Sequence, residues 1–600
     1  MHTPEPANPL ADGVVDHAEQ LKSMHGESAQ AESSAQWILY EFDTYYSEFL
    51  GIPDLAKQAF ENRDPRTSLA LSKQRLSLYS ASVAQLSATL IDNFPIFAER
   101  EELWDQVEQH YLILIDGRYE ADLAHAYYHS VRRKISPDEW RPVEYSSRQA
   151  VEASGEYVSE IYREFPGGEA VQNATVAEIL QCPNFSIPYR NLSEDATLVT
   201  ERINQVINTN PSQVGTIRCI QMIEAGFYRN RGAYIVGRII FTDEFVMPLI
   251  LALLNDDHGI YVDAVLHRIA DGHNIFSSTL ANFHVTSLYY HELSEFLHSI
   301  MPQRPLGLHY STIGYNHLGK LAVMSELKEE LIGENQTLQT AVGFRGTVAI
   351  GFSAPCSAYN LKIIRDQPTA DYKWGEFEGI ESVLKKYNRV HEINRTGSML
   401  DNIIYYDVRL DKDWFDKELL DELVREAGET VALQNEGVVF KHLIVQRRMT
   451  PLPVFWETAS PEDAETAMIN LGYCIKNNAA ANIFNKDLDA RNYGVSEFHK
   501  VYLFDYDALE PFVDVKIYER NDGIDGDEEI PEWFFDDGIV FLPEEVSVGL
   551  RIPNAHLRGV FRNTHGNMLG TQYWQKLQDE LRQNKVPSVR IYPESQQLVR

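Results

Sequence analysis

Apolar residues recur at intervals of three and four from Trp37 onward. Trp37, Ile38, Phe42, Tyr45, Tyr46 and Phe49 fall on one face of an amphipathic helix. Similar helical patterning runs to about residue 165 and returns around 283–300. Ahead of it, the first ~33 residues are rich in Ala, Ser, Glu, Pro and His with no apolar period, which predicts a flexible tail over 1–35. Between the helical stretches, Tyr234 to Phe241 (YIVGRIIF) and Phe245 to Leu254 (FVMPLILALL) read as buried strands, joined by the polar turn Thr242-Asp243-Glu244. No internal repeat is visible.

The texture changes after about residue 338. Thr347 to Phe352 and Tyr359 to Ile364 read as two strands linked by a Ser/Ala/Pro loop. A helix over about 376–387, a strand over 402–408, a helix over 415–427 and a strand over 438–445 follow. Ser460, Pro461 and Asp463 then form a helix start: an N-cap, a proline at the first helical position and a capping-box partner. That helix is expected to run to about Ile483. Two short strands follow, near Tyr493–Val495 and Val501–Phe504. Strands first and helices after suits a small β-rich lobe on a helical lobe, an α+β arrangement.

Six hundred residues exceed a single core, so at least two domains are expected. The 53 Lys and Arg face 88 Asp and Glu, a net charge of −35. So acidic a chain argues against nucleic-acid or anionic-membrane partners, which attract basic surfaces. Four scattered cysteines (Cys182, Cys219, Cys356 and Cys474) suit neither a disulfide framework nor a zinc knuckle. The first residues carry no secretory pattern, and the most apolar run is ten residues with Pro248 inside it. A cytoplasmic protein is expected.

Chemistry concentrates beyond residue 340. Asp487 and Asn492 are five apart, the D-x-x-x-x-N spacing in which a kinase Asp accepts the proton of the attacking hydroxyl and the Asn holds magnesium. Thirteen residues later, Asp505 ends the apolar strand Val501 to Phe504 within Phe504-Asp505-Tyr506-Asp507. A carboxylate there costs desolvation energy unless a cation offsets it. Upstream, Gly343-Phe344-Arg345-Gly346 precedes a strand, so backbone N–H groups could approach phosphates. Lys362 lies mid-strand, where a kinase needs its phosphate-pairing lysine. Taken singly, each element is weak; the order glycine loop, strand lysine, D-x-x-x-x-N, strand-end Asp is hard to reach by chance. It predicts a bilobal protein-kinase-like domain over 335–600, with an N-lobe of about 335–446 and a C-lobe of about 447–600, behind a mostly helical regulatory domain over 36–334. No His-Arg precedes Asp487, the metal slot reads Asp505-Tyr506-Asp507 and no A-P-E follows, which excludes an ordinary Ser/Thr kinase. The glutamate expected to pair with Lys362 is open among Glu376, Glu378 and Glu381.

Ala479 to Val495 (AAANIFNKDLDARNYGV) with Val501 to Asp507 (VYLFDYD) resembles the bacterial isocitrate dehydrogenase kinase/phosphatase family. Leu361 to Asp366, Val439 to Pro453 and Pro543-Glu544-Glu545 support the resemblance. Ile38 to Leu50 and Phe227 to Gly237 extend it through the N-terminal half. The resemblance implies a bifunctional enzyme that phosphorylates and dephosphorylates a serine of isocitrate dehydrogenase, moving flux to and from the glyoxylate bypass. It implies one site for ATP or ADP with Mg²⁺, and AMP as an effector. By position, Ala341, Val342, Gly343, Phe344, Arg345, Gly346 and Thr347 match the ATP-binding loop, and Lys362 the nucleotide-binding lysine. Asp487 matches the catalytic aspartate, and Asn492 and Asp505 the metal ligands. Asp401 and Asp507 match carboxylates needed for hydrolysis; on the residues alone, Asp507 could equally be a second metal ligand. A homodimer is compatible with this reading.

Two competing functions have the same ingredients: a nucleotide-sensing kinase-fold scaffold without activity, and a small-molecule phosphotransferase. The complete set Lys362, Asp487, Asn492 and Asp505 argues against the first, and the long N-terminal half against the second. Arg447-Arg448, at the expected hinge, could pair with nucleotide or acidic loops, or lie solvated. The acidic run Asn521 to Glu532 falls where the family has a substrate-recognition loop. His291-Glu292…Glu295…His298 lacks the second histidine of H-E-x-x-H, so it is expected to be a polar helix face and not a zinc site.

Overall fold

The computed structural model describes residues 27–93, 100–136, 161–209, 215–276, 283–341, 345–370, 377–392, 398–520, 534, 537–589 and 591–600. Two compact units are present. One comprises the chain up to Asp54 with Gln74–Glu160, the other Leu55–Lys73 with Ile161–Arg600.

The described part of the first unit is helical: Glu27–Glu61 up to Asp54, Pro65–Asn93 from Gln74, then Glu101–Ile115 and Ala121–Ile135. All six apolar residues of the Trp37–Phe49 face are buried. Tyrosines fill this core by edge and stacked contacts, Tyr45 against Tyr79 at 5.4 Å and against Tyr127 at 5.9 Å. Their hydroxyls are satisfied: Tyr79 meets Ser130 Oγ at 2.8 Å and Tyr127 meets Ser82 Oγ at 2.6 Å. The helix begins at Glu27, so residues 27–35 are not tail. Ala31 and Ala35 bury fully one turn apart, and so small a face leaves no large-apolar signal in the sequence. Residues 1–26 lie outside the described residues.

In the second unit the expected strand pair is present as Gly232–Phe241 and Val246–Asp256, antiparallel, with Glu244 in the left-handed region at the turn (φ 64°). Pro248 sits where its strand has one neighbour: it faces Arg238 on one side, while pairing to the Gly259–Leu266 strand begins at Ile250. The sequence pattern found only these two strands. The sheet has seven, adding Tyr162–Gly168, Ile217–Ile223, Phe227–Arg229, Gly259–Leu266 and His284–Val285. The Tyr290–Ile300 helix has the polar face expected, with Glu295 and Ser299 exposed and Glu292 and His298 half-buried, but His291 does not share it. His291 is buried, with Nδ1 2.8 Å from the Tyr310 hydroxyl, and His298 Nδ1 is 3.0 Å from the Arg304 carbonyl. No helix among the described residues is long and apolar enough to cross a membrane.

A six-stranded antiparallel sheet follows, ordered Asn402–Asp411, Gly437–Arg447, Tyr359–Ile364, Ala349–Ser353, Gln339–Thr340, with Val431–Gln434 also against Gly437–Arg447. Leu361 and Ile363 are fully buried, so the pleat carries Lys362 to the opposite face. Gly351 pairs with Lys362 across the strands and puts no side chain beside it. The helix Ile380–Glu392 turns Val383, Tyr387 and Val390 into the core that also holds the helical lobe. In that lobe the Pro461–Ala480 helix starts as expected: Ser460 Oγ accepts from Asp463 N at 3.2 Å.

This helix leads directly to the catalytic-loop sequence, and it packs closely on Ala555–His565 through Gly472. A methyl group at Gly472 would lie 2.1 Å from the His565 ring, whose Nε2 donates to the Ile469 carbonyl at 2.9 Å. Gly472→Ala is therefore expected to lower the thermal midpoint. The overpacking cost of about 1–3 kcal/mol, at its upper end for so short a contact, exceeds the roughly 1 kcal/mol gain in helix propensity. An unchanged or raised midpoint would show that the two helices can separate freely at this point.

Candidate active site

Between the six-stranded sheet and the helical lobe lies a cleft of about 350 Å³, lined by Lys362, Asp487, Asn492, Asp505 and Asp507 among others. This is within the size range of small-ligand sites. The glycine loop forms part of its wall: Ala341, Arg345, Gly346 and Thr347 line it, while Val342, Gly343 and Phe344 lie outside the described residues. Gly346 cannot be larger, because a Cβ would meet the Ala349 carbonyl at 2.5 Å. Its own carbonyl accepts from Arg365 Nε at 3.3 Å, and Arg365 is buried against Glu422 at 3.1 Å and against Glu426. This buried pair fixes one end of the loop. Arg345 stays exposed, 3.8 Å from Glu422.

The Lys362 amine donates to the Phe504 carbonyl at 2.9 Å, directly before Asp505, and Gln446 Nε2 donates to the same oxygen at 3.2 Å. Burial depresses the ammonium's pKa, while the charges of Asp505 and Asp507 oppose that shift. Strand lysine and strand-end aspartates, 143 and 145 residues apart in the chain, thus share one electrostatic neighbourhood.

The loop from Asn485 to Asn492 is held by its own polar groups. Asn485 Oδ1 accepts from Asp487 N at 3.0 Å, Asp489 accepts from Arg491 N at 2.9 Å, and Asn492 Nδ2 donates to the Asp487 carbonyl at 2.9 Å. The Asn492 carbonyl accepts from Phe504 N at 3.1 Å, which docks the loop onto the strand that ends in Asp505. Asp489 is buried, which raises its pKa, but the hydrogen bonds and charge of Arg491, with Arg551, outweigh that and hold it below the usual range. The Arg491–Asp489 pair, at 2.8 Å, supplies an internal cation in a loop that has no His-Arg before its aspartate.

Asp507 is the most strongly perturbed carboxyl of the cleft. Burial, then the neighbouring charges of Asp505 and Asp487, push its pKa up to about 7 against the opposing pull of Lys362 and Lys386. Three carboxylates crowd one cleft, the electrostatic setting that a divalent cation relieves. Asn492, Asp505 and Asp507 line the same cleft and offer oxygen atoms of the type that Mg²⁺ takes.

Asp401 does not join this group. It is 4% exposed and its Oδ2 accepts from Arg304 at 2.8 Å, so its charge is committed to a buried guanidinium. Only its neighbour Leu400 reaches the cleft. Nor does a glutamate among the described candidates face Lys362. Glu378 accepts from Ser382 Oγ at 2.6 Å and Glu381 is exposed, while Glu376 lies outside the described residues. The helix offers Tyr387 instead, whose hydroxyl donates to Asp505 Oδ1 at 3.1 Å and whose ring centroid lies 5.9 Å from Lys362 Nζ. The period that places Tyr387 one turn after Val383 was legible, but nothing in the sequence marks its hydroxyl as polar machinery. Arg447 is not solvated: it is 5% exposed and meets Glu497 at 2.5 Å and the Gln303 carbonyl at 3.2 Å. Arg448 holds the Pro355 carbonyl at 2.7 Å. The run 521–532 lies outside the described residues.

A strand lysine and a glycine loop on a small sheet, facing a D-x-x-x-x-N loop and a strand-end aspartate across one cleft, define a protein-kinase-like fold. Residues 35–334 match the family model "Isocitrate dehydrogenase kinase/phosphatase (AceK), regulatory domain", and residues 336–594 match that family's kinase domain. The chain belongs to the isocitrate dehydrogenase kinase/phosphatase family. It is 46% identical over 599 residues to the isocitrate dehydrogenase kinase/phosphatase of Rhodopseudomonas palustris (strain HaA2), covering 99% of this chain and 98% of that one. It is 28% identical to the enzyme of that name from Anaeromyxobacter sp. (strain Fw109-5), over 95% of this chain and 98% of the relative. It is also 28% identical to isocitrate dehydrogenase kinase/phosphatase 2 of Pseudoalteromonas translucida (strain TAC 125), over 95% and 99%.

Tyr387→Phe removes the hydroxyl that orients Asp505 and leaves the ring in place. The Mg²⁺ concentration needed for half-maximal nucleotide binding is expected to rise about tenfold, the lower range for losing a partner behind a metal ligand. A titration indistinguishable from that of the unmodified protein would show that the hydroxyl does not position Asp505.

Proposed function

We propose that this chain is a bifunctional enzyme that phosphorylates a serine of isocitrate dehydrogenase with ATP and removes the same phosphate, setting flux between the tricarboxylic acid cycle and the glyoxylate bypass. The convergence of Lys362, Asp487, Asp505 and Asp507 on one cleft carries the reading, and the names of the full-length relatives supply the substrate. Residues 335–600 act as the catalytic domain and 36–334 as the regulatory one, through which AMP acts as an effector.

In transfer, Lys362 pairs with the nucleotide phosphates and the loop at 341–347 covers them. Asp487 accepts the proton of the serine hydroxyl as its oxygen bonds the γ-phosphorus and the bond to ADP breaks. Asn492 and Asp505 would hold Mg²⁺, which would neutralise phosphate charge. In hydrolysis a water takes the place of the hydroxyl and the serine–phosphate bond breaks. Asp507 orients that water and takes its proton, a task suited to a carboxyl whose pKa lies near neutrality. Asp401, paired with Arg304, serves as a positioning residue for the strand edge beside Leu400.

The test is incubation of the purified protein with Mg²⁺-ATP and isocitrate dehydrogenase, and of the phosphorylated product with and without ADP. Asp487→Ala is expected to lower transfer by about 10²–10⁴-fold. Phosphate release is expected to climb with pH as Asp507 loses its proton, at a pH below about 7 because bound Mg²⁺ relieves the carboxylate crowding, and Asp507→Asn removes that rise. Unchanged labelling by Asp487→Ala would overturn the catalytic assignment. A release profile that stays the same in Asp507→Asn would overturn the division of labour.

A further inference from the structure

The helical unit holds a side-chain cluster that phosphoryl transfer does not use. Glu108 lies on the Glu101–Ile115 helix, and His125 and His129 lie one turn apart on the Ala121–Ile135 helix, so both imidazoles share a face. His125 Nε2 and His129 Nε2 are 2.9 Å apart, and Glu108 Oε1 is 3.2 Å from the first and 3.5 Å from the second. The two histidine side chains are 18% exposed and the glutamate 24%, a half-buried position that leaves an approach from solvent.

Protons cannot satisfy this triangle at neutral pH. A neutral imidazole brings one N–H and one lone pair, and the carboxylate brings only lone pairs. A hydrogen on His129 Nε2 that serves His125 leaves His125 and Glu108 facing each other lone pair to lone pair. A hydrogen on His125 Nε2 leaves His129 and Glu108 in the same condition. Hydrogens on both Nε2 atoms would set two N–H groups against each other across only 2.9 Å, nitrogen to nitrogen. One cation at the centre satisfies all three atoms together. The dimensions agree: ligands at about 2.0–2.1 Å from a tetrahedral ion lie about 3.3 Å from one another, close to the observed edges.

The surroundings orient the carboxylate. Arg132 Nη1 lies 3.4 Å from Glu108 Oε2 and 3.2 Å from Asp105 Oδ1, so the second carboxylate oxygen is held away and Oε1 is left to the histidines. Two imidazoles and one carboxylate form a borderline donor set, suited to zinc-like ions and not to Mg²⁺ or Ca²⁺, with a fourth position for water. We propose that Glu108, His125 and His129 bind a zinc-class divalent ion that ties these two helices together. The proposal is independent of the phosphotransfer reading.

The experiment uses the full chain, stripped with chelator and kept in excess Mg²⁺ to occupy the catalytic cleft, and titrated calorimetrically with Zn²⁺. Co²⁺ absorption serves as a second readout. One binding event with a tetrahedral Co²⁺ spectrum is expected. It should weaken by more than the about 10–100-fold typical of outer-shell losses in His125→Ala, in His129→Ala and in the milder His129→Gln, each checked for native circular dichroism. Zn²⁺ should raise the thermal midpoint of the parent protein and not of these variants. Absence of a Zn²⁺ event under excess Mg²⁺, or equal Zn²⁺ affinity in parent and folded variants, would overturn the proposal.

Discussion

Asp487, Asp505 and Asp507 repel one another inside one half-buried cleft, and the surrounding structure is organised by how that repulsion is relieved. Lys362 supplies one positive charge from the sheet and Lys386 a second from the helix above it, where its amine donates to the Asp507 carbonyl at 2.8 Å. Burial, and then the remaining imbalance of charge, raise the proton affinity of Asp507. A divalent cation with phosphates is the ligand chemistry that such an excess of carboxylate favours. The same imbalance explains how one site could serve both attack by a hydroxyl and attack by water, because the two reactions share their charge stabilisation and differ in the proton acceptor.

Positioning depends on hydrogen bonds that cross between distant segments. The Phe504 carbonyl collects both Lys362 and Gln446, and the Phe504 N–H binds the Asn492 carbonyl, so one residue joins the sheet, the D-x-x-x-x-N loop and Asp505. A further tie comes from the N-terminal half. Arg304 is 1% exposed and reaches Asp401, Thr312 Oγ1 and the Leu308 carbonyl. A buried pair of this kind is costly to break, about 3–5 kcal/mol when one partner is removed. It therefore links residues of the region matching the regulatory family model to the strand edge beside Leu400 at the cleft.

How much of this was legible in the sequence depends on range. The Tyr359–Ile364 strand and the Ser460-capped helix were readable because period and capping are local properties, and the D-x-x-x-x-N spacing likewise. The lysine and the aspartates could be assigned to one site from their order along the chain, and the structure brings them to one cleft. Five strands of the seven-stranded sheet were not legible: Phe227–Arg229 and His284–Val285 are too short to carry an alternation, and Ile217–Ile223, buried at six of its seven positions, has no polar face to alternate with. Tyr387 and Arg304 were hidden for another reason. A tyrosine on an apolar face reads as core, and an arginine in a connecting segment reads as surface; only tertiary contact discloses that each holds an aspartate. His291 shows the converse, a polar residue expected on the surface and found buried against Tyr310.

A single cleft serving both reactions is the central claim, and Lys362→Met on one preparation addresses it directly. Kinase labelling and ADP-dependent phosphate release should be measured side by side, with nucleotide affinity as a check. Loss of the amine is expected to depress both activities together, because both need the same anchored phosphates. Full phosphate release in a variant that no longer labels isocitrate dehydrogenase would contradict the account and require a second site.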